Sequence, residues 1–299
     1  MMNLRNCVTL VCLLSLYNFS HAQQKANIIA KGAKPILIYD QYSFTEGPAV
    51  DSEGNVFFTD QPNDQIIKWS TDGSLSIYME GTGRSNGLYF DKDDNLIACA
   101  DLKNELWLID KFKRVTVLVK EFEGKKLNAP NDLWIAPNGG IYFTDPFYKR
   151  NYWTRTEMEL EKMDVYYLSP DRKTLTVAAS NLKTPNGIVG TADGKKLYVA
   201  DIGDGKTYSY TINADGTLAN RKLFCETGSD GMTLDNKGNV YLTGKGVTVF
   251  NETGQQIEHI PIDEKWTANV CFGGANRKTL FITASKSVYT LDMKVKGVQ

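Results

Sequence analysis

The sequence predicts an all-β fold, a six-bladed β-propeller with four-stranded antiparallel blades, from three observations. One pattern occurs six times: an apolar run, a turn rich in Asp, Asn and Gly, and a second apolar run. The copies begin at residues 46, 86, 131, 186, 230 and 269, so they lie 39 to 55 residues apart. Further strand-like runs, such as 104–110 and 114–120, fill the intervals. Four strands in a repeat of roughly 40–45 residues are typical of a propeller blade.

Each repeat begins with a hairpin. "EGPAVDSEGNVFFTD" (46–60) and "NDLWIAPNGGIYFTD" (131–145) combine β-branched and aromatic residues with turn formers, which favours strand–turn–strand over helix. A β-sandwich would not repeat six times at this spacing. The sequence therefore predicts six blades.

The two ends of the chain are expected to close the ring together. After residues 281–284 the last repeat has one clear strand, 287–292, and then a polar tail, so it lacks an outer strand. The run "PILIYD" (35–40) precedes the first repeat and has no other partner. We predict that this N-terminal strand completes the last blade and covers its open edge.

The N-terminus has the features of a secretory signal peptide. Arg5 precedes an apolar stretch, 7–16, that is too short to span a bilayer, and "SHA" (20–22) fits a cleavage site. We expect residues 1–22 to be removed and residues 23–299 to form one exported propeller domain, periplasmic or secreted and not membrane-bound. An N-terminal anchor helix is the alternative.

Composition excludes several classes of function. The formal net charge of −1 gives no basic surface for nucleic acid. Outside the signal peptide the chain has one histidine, His259, so His-rich metal sites and a Ser-His-Asp triad are not expected. Three cysteines remain there, Cys99, Cys225 and Cys271, and their odd number and spacing predict buried free thiols.

The first residue of every repeat is polar and carries a side-chain oxygen. Because the first strand of a blade is innermost, these residues should face one another at one mouth of the channel. Carboxylate and amide oxygens without His or Cys favour Ca²⁺, with Mg²⁺ or Mn²⁺ as alternatives. The other interpretation is that these residues are turn formers that cap strand starts. The six residues are Glu46, Asn86, Asn131, Asn186, Asp230 and Asn269.

Four repeats also end their second strand in aspartate: Asp60, Asp101, Asp145 and Asp201. That strand returns to the same mouth, so the carboxylates are expected near the ion or in the pocket. Alternatively, they accept hydrogen bonds from backbone N–H groups at strand ends.

The chain resembles the gluconolactonase family, which also contains senescence marker protein (regucalcin) and is related to diisopropylfluorophosphatase. The likeness covers residues 35–292, is most specific in "EGKKLNAPNDLWIAPNGGIYFTDPFY", and recurs in "SNGLYFDKDDNLIACA", "DGMTLD" and "NVCFGGANRKTLFIT". Bacterial gluconolactonase-like members look most similar. The resemblance implies a six-bladed propeller, one catalytic divalent cation and hydrolysis of cyclic esters.

By motif, the resemblance places metal ligands at Glu46, Asn131, Asn186 and Asp230. Taken with the oxygen donors of these residues, we expect Ca²⁺ as the cofactor, with Mg²⁺, Mn²⁺ or Zn²⁺ as substitutes. Asp230 would act as the base that activates water, or instead as a direct nucleophile. The family pattern leads one to expect Glu-His after Ala-Cys, where this chain has Ala100-Asp101.

The third repeat carries an insertion, 146–164, that should lie on the same face as the metal. Its Tyr148, Tyr152, Trp153 and Arg155 are suited to stack on a sugar ring, although a surface loop or dimer contact would also fit. A short helical turn is expected within 157–163. The full predicted set of substrate-binding residues is Asn86, Asn128, Asp145, Trp153, Arg155 and Asn269.

The expected activity is metal-dependent hydrolysis of a sugar lactone such as gluconolactone. Two alternatives stay open: hydrolysis of other esters or phosphotriesters, and a non-catalytic propeller that binds a sugar or a protein around structural calcium. The expected partner is a small-molecule lactone, and the sequence leaves the oligomeric state open.

Overall fold

Six four-stranded antiparallel sheets make up most of residues 27–299, the part of the chain that the computed structural model describes. The predicted signal peptide, 1–22, lies outside these residues. The first three blades, from the inner to the outer strand, consist of β2 (Thr45–Val50), β3 (Val56–Asp60), β4 (Gln65–Trp69) and β5 (Leu75–Glu80); β6 (Ser85–Phe90), β7 (Leu96–Ala100), β8 (Glu105–Ile109) and β9 (Val115–Val119); and β12 (Leu133–Ile135), β13 (Ile141–Thr144), β14 (Val165–Leu168) and β15 (Leu175–Ala179). A small hairpin outside the blades consists of β10 (Glu121–Phe122) and β11 (Lys125–Lys126).

The other three blades follow the same order. They consist of β16 (Pro185–Gly190), β17 (Lys196–Asp201), β18 (Lys206–Ile212) and β19 (Leu218–Cys225); β20 (Met232–Leu234), β21 (Val240–Gly244), β22 (Gly246–Phe250) and β23 (Gln256–Ile260); and β24 (Thr267–Gly273), β25 (Thr279–Ala284) and β26 (Ser287–Asp292), with β1 (Ile36–Tyr39) outermost. The six-bladed all-β prediction is confirmed.

The N-terminal strand closes the ring as predicted. β1 pairs antiparallel with β26, with Ile36 opposite Thr290, and covers the outer edge of blade six. The C-terminal tail adds a second connection that its polar sequence did not indicate. Met293 bridges Ile29, Gly297 bridges Asp235 of blade five, and Met293 and Val295 are buried.

Apolar side chains between neighbouring blades form the core. At the ring closure, the rings of Phe58 and Trp69 in blade one lie 5.3 and 5.4 Å from Phe281 in blade six. The inner strands β2, β16 and β24 are buried along their whole length. Burial on both faces of the inner strands fixes where each one begins at the channel mouth.

The hairpin turns explain the repeated Asp-x-x-x-Asn pattern. In blade one, the Asp51 carboxylate accepts hydrogen bonds from the backbone N–H groups of Glu53 and Asn55, and Asp91 does the same for Asp93 and Asn95. Such Asx turns favour Asp at the first turn position.

Cys99, Cys225 and Cys271 are buried free thiols, as predicted. Among residues 27–299, no helix has the length and apolarity needed to cross a membrane.

Candidate functional site

The first residues of the repeats gather at one mouth of the channel because of local backbone irregularities. The pairing register shifts at Glu46, at Asn86, at Asn186 and just before Asn269, each on an innermost strand. A bulge of this kind re-aims a side chain, which explains how strand residues turn towards the axis. Asn131 and Asp230 lie just before their inner strands instead.

The glycine that follows a ring residue, as we call the first residue of each repeat, serves close packing. A Cβ at Gly47 would lie 2.1 Å from the carbonyl oxygen of Asn86, and one at Gly187 would lie 2.7 Å from that of Asp230. Each glycine therefore lets the next blade's ring residue approach. Strand capping also occurs, because Glu46 Oε2 accepts the Gly47 N–H at 2.9 Å and Asn269 Oδ1 accepts that of Val270 at 2.8 Å.

Five of the predicted residues line one cavity of about 210 Å³ at this mouth. They come from five different blades: Glu46, Asn86, Asn131, Asn186 and Asp230. Asn269 does not line the cavity. Its side chain packs against Gly231, where a Cβ would come within 1.9 Å of the Asn269 Cγ.

The two carboxylates in this cavity are strained electrostatically. Glu46 is 3% exposed and Asp230 is half-buried. Burial, followed by repulsion from Asp230, raises the pKa of Glu46 well above its usual range. Burial likewise raises the pKa of Asp230, against the hydrogen bond from Trp266. Burial also raises the pKa of Asp132, one residue past Asn131, to about 7. Three carboxyl groups in a buried channel favour a positive charge among them.

The donor set of the cavity fits a hard divalent cation. Within residues 27–299, no group of three or more His, Cys, Asp or Glu side chains is placed to hold a metal ion. A site here would therefore combine the two carboxylates with amide oxygens, which suits Ca²⁺. Asn186 Oδ1 is buried and has no hydrogen-bond partner among these residues, while its Nδ2 donates to the Tyr148 hydroxyl at 2.8 Å. An orphaned amide oxygen in this place is what a cation ligand would show.

Four predicted substrate residues form a separate cluster outside the cavity lining. Asp145 accepts the N–H groups of Asn128 and Ala129, each at 2.8 Å, and the Asn128 amide donates to the carbonyl oxygens of Asp145 and Lys162. Arg155 donates to the Leu127 carbonyl oxygen, and its guanidinium lies 4.4 Å from the Trp153 ring. Asn128, Asp145, Trp153 and Arg155 thus hold the insertion against blade three.

The second-strand aspartates mostly hold backbone. Asp60 accepts the N–H groups of Ser43 and Phe44, and Asp201 those of Lys183 and Thr184, as Asp145 does in blade three. Asp101 differs, because its carboxylate contacts side chains only, whereas Asp60 accepts the Asn63 amide in addition to backbone N–H groups. Its Oδ2 accepts Arg150 Nε at 3.0 Å and Nη2 at 2.9 Å, and its Oδ1 accepts the Tyr152 hydroxyl at 2.8 Å.

Sequence reasoning missed several cavity residues. Trp266 lines the cavity and donates from Nε1 to Asp230 Oδ2 at 2.6 Å. The other lining residues that were missed are Phe44, Gln61, Arg150 and Ile202. Phe44 lies two residues before Glu46, and Trp266 lies three residues before Asn269. An aromatic residue shortly before the first residue of a repeat was therefore the sequence feature that could have identified them. The remaining insertion residue of the wall is Tyr148, which was among the predicted sugar-stacking aromatics.

Comparison with known proteins agrees with this architecture. The chain is 28% identical to the gluconolactonase of Zymomonas mobilis over 87% of its length and 82% of that protein. It is 33% identical to the lactonase drp35 of Staphylococcus haemolyticus, covering 76% of this chain and 73% of that one.

Among solved structures, a gluconolactonase from Xanthomonas campestris superposes with a TM-score of 0.84 at 29% identity, over 89% of this chain and 91% of that one. A regucalcin from Agrobacterium tumefaciens, described as a calcium-binding protein, has a TM-score of 0.72 at 18% identity, over 92% and 96%, and shares the fold. The family model described as SMP-30/Gluconolactonase/LRE-like region matches residues 44–286. The chain belongs to the SMP-30/gluconolactonase/LRE-like family.

Proposed function

We propose that this protein hydrolyses a sugar lactone with the help of a divalent cation, of which calcium is favoured. The observation that carries the proposal is the cavity in which Glu46 and Asp230 meet Asn131 and Asn186 from separate blades. Relatives of this chain named gluconolactonase and lactonase support the reaction class. The calcium-binding regucalcin that shares the fold is consistent with the choice of cation.

The cation would be held by Glu46, Asn131, Asn186 and Asp230. When bound, it would supply the Lewis acidity that polarises a lactone carbonyl and stabilises the negative charge that develops on its oxygen. Ligand chemistry supports this assignment, because hard oxygen donors bind Ca²⁺ and neither Glu46 nor Asp230 forms a salt bridge within residues 27–299.

Asp230 is the group in the cavity best suited to accept a proton. The Trp266 indole holds Oδ2 at 2.6 Å and so fixes the plane of the carboxylate, which leaves Oδ1 to take the proton from the attacking water. Burial raises the pKa of Asp230 in the metal-free site, and a bound cation would lower it again, so the cation would have to supply much of the activation. Attack of water on the carbonyl carbon opens the ring, and the product is a hydroxy acid.

The remaining walls are suited to a polyhydroxylated ligand. Asn86 and Gln61 offer amide groups, and the Tyr148 hydroxyl accepts from Asn186 and keeps its own proton to donate. Phe44 and Trp266 add apolar surface on which a sugar ring can stack. A cavity of about 210 Å³ is of the size of a single monosaccharide ring.

A lactone panel tests the proposal directly. The calcium-loaded protein should release acid from D-glucono-1,5-lactone or a related aldonolactone faster than the spontaneous reaction, in a pH-indicator assay. Dialysis against a chelator should remove this activity, and added calcium should restore it.

The variant that tests the proposed ligands is Glu46→Gln, which keeps the shape of the side chain and removes its charge. It should lose the activity while circular dichroism shows an unchanged β fold. Full activity in the metal-free protein would refute the role of the cation. Absence of hydrolysis across lactones, simple esters and phosphotriesters would support the alternative, a non-catalytic binding propeller.

A further inference from the structure

A second, wider space opens directly onto the candidate active site. It has a volume of about 710 Å³ and shares Phe44, Gln61 and Arg150 with the inner cavity. We call this space the vestibule. A substrate that reaches the inner cavity from this side passes Arg150, which lies on the boundary of both.

The vestibule is lined by three cations, Arg84, Lys149 and Arg150, and by no carboxylate from the described residues. The whole chain has a net charge of −1, so a general excess of basic residues does not explain this. Neither Arg84 nor Lys149 forms a salt bridge within residues 27–299. Only Arg150 has its charge compensated, by Asp101.

Arg150 is held in a fixed position. Asp101 is 1% exposed, binds Nε and Nη2 of Arg150, and accepts the Tyr152 hydroxyl with its other oxygen. The equivalent aspartates of blades one, three and four hold backbone N–H groups instead. Arg150 Nη1 makes no hydrogen bond among the described residues, so it can still donate to a ligand.

Arg84 is also fixed. Its Nη1 donates to the Pro62 carbonyl oxygen at 2.8 Å, and its guanidinium lies 4.5 Å from the Tyr152 ring. The backbone of Arg84 has a positive φ of 49°, an unfavourable conformation for a non-glycine residue. Arg84 and Arg150 therefore flank Tyr152 as two preorganised cations.

We propose that the vestibule recognises an anionic group on the substrate, so that the protein prefers lactones that carry a carboxylate or phosphate away from the reacting carbonyl. This inference rests on the proposed lactone hydrolysis. Arg150 contacts the anion, and Arg84 and Lys149 attract it electrostatically. Low-dielectric walls and one sign of charge concentrate such substrates at the mouth.

The test compares D-galactaro-1,4-lactone with D-galactono-1,4-lactone, which differ only in a carboxylate in place of a hydroxymethyl group. For the calcium-loaded protein at low ionic strength, kcat/KM should be at least about tenfold higher for the acidic lactone, the value of one charge-assisted hydrogen bond. The ratio should fall as salt is added.

The double variant Arg84→Gln/Lys149→Gln removes the two uncompensated cations and leaves Arg150, Asp101 and the inner cavity in place. It should lower the ratio to about a third or less of the wild-type value. The control, Lys111→Gln/Lys113→Gln, removes two exposed cations from a turn of blade two and should leave the ratio unchanged. A wild-type ratio of one or below, or a ratio that the test variant does not alter, would overturn the inference.

Calorimetry with the product acids separates this inference from the proposed function. Galactarate should bind more tightly than galactonate. A comparison of the affinities for 6-phosphogluconate and gluconate decides whether a phosphate is recognised as well as a carboxylate. If neither lactone is hydrolysed but the dianionic acids bind and the test variant loses this preference, the proposed reaction fails and the anion site stands. Equal binding of both acids would exclude the anion site.

Discussion

At the scale of single residues, Asp230 has the most demanding position in the molecule. It is half-buried, lines a small cavity together with Glu46 and receives a short hydrogen bond from Trp266. A carboxylate keeps this position at a cost in free energy unless a cation or a proton compensates it. A functional role in binding a cation or accepting a proton therefore best explains this unfavourable position.

Asp230→Asn should reduce kcat by about a hundredfold or more, because the amide cannot accept a proton from water. The measurement is steady-state kinetics with the lactone that the wild-type protein hydrolyses, together with circular dichroism to verify the fold. Retention of more than about a tenth of the wild-type kcat would count against Asp230 as the base.

Trp266→Phe tests whether the indole positions that base. Loss of the hydrogen bond should lower kcat about tenfold while KM changes by less than about threefold, since the aromatic wall is kept. A purely structural role predicts the reverse pattern, a lower melting temperature with kcat unchanged.

Sequence reasoning at this scale succeeds where the repeats align equivalent positions. Five of the six ring residues line the cavity because the register of each inner strand is set by its buried face. Trp266 and Arg150 escaped prediction since they lie in connections, where no repeat constrains position. Asn128 and Asp145 show the opposite case, in which polar residues beside the mouth bind each other's backbone.

At the scale of elements, the insertion 146–164 forms part of the cavity wall through Tyr148 and Arg150. The short helical turn expected within 157–163 is absent. Three glutamates at alternate positions there repel one another in a segment too short to propagate a helix, and Glu159 accepts the Lys126 N–H instead. Charge contacts and stacking hold the insertion without regular structure.

Asp101→Ala should loosen the insertion, because it leaves Arg150 and Tyr152 without their shared partner. We expect trypsin to cleave within 146–164 at least about fivefold faster than in the wild type, as followed by mass spectrometry. Asp110→Ala, which removes an aspartate paired with Arg114 on the surface, is the control and should cleave at the wild-type rate. Equal cleavage of both variants would show that Asp101 does not anchor the insertion.

The contribution of the closing strand β1 to stability can also be tested. Deletion of residues 1–40 removes β1 and the buried Ile28 and exposes the edge of β26. Compared with deletion of residues 1–26, it should lower the melting temperature by about 5 °C or more. The same melting temperature for both would mean that blade six is stable with three strands.

At the scale of the whole molecule, six hairpins at regular spacing were enough to predict the architecture, because only a closed ring buries both faces of every inner strand. The missing outer strand of the last repeat likewise indicated which end of the chain closes the ring. The packing of the C-terminal tail was not predictable, since Met293 and Val295 alternate with lysines and their burial depends on residues of blade five and the N-terminus.

The same closure brings residues almost two hundred positions apart into one cavity, and this convergence is the basis of the proposed metal site. Isothermal titration of Ca²⁺ into the chelator-treated protein measures it most directly. The wild-type chain should bind one ion in the micromolar to millimolar range, and Glu46→Gln/Asp230→Asn should bind none. A wild-type protein that binds no divalent cation, or a double variant that binds calcium equally well, would contradict the account.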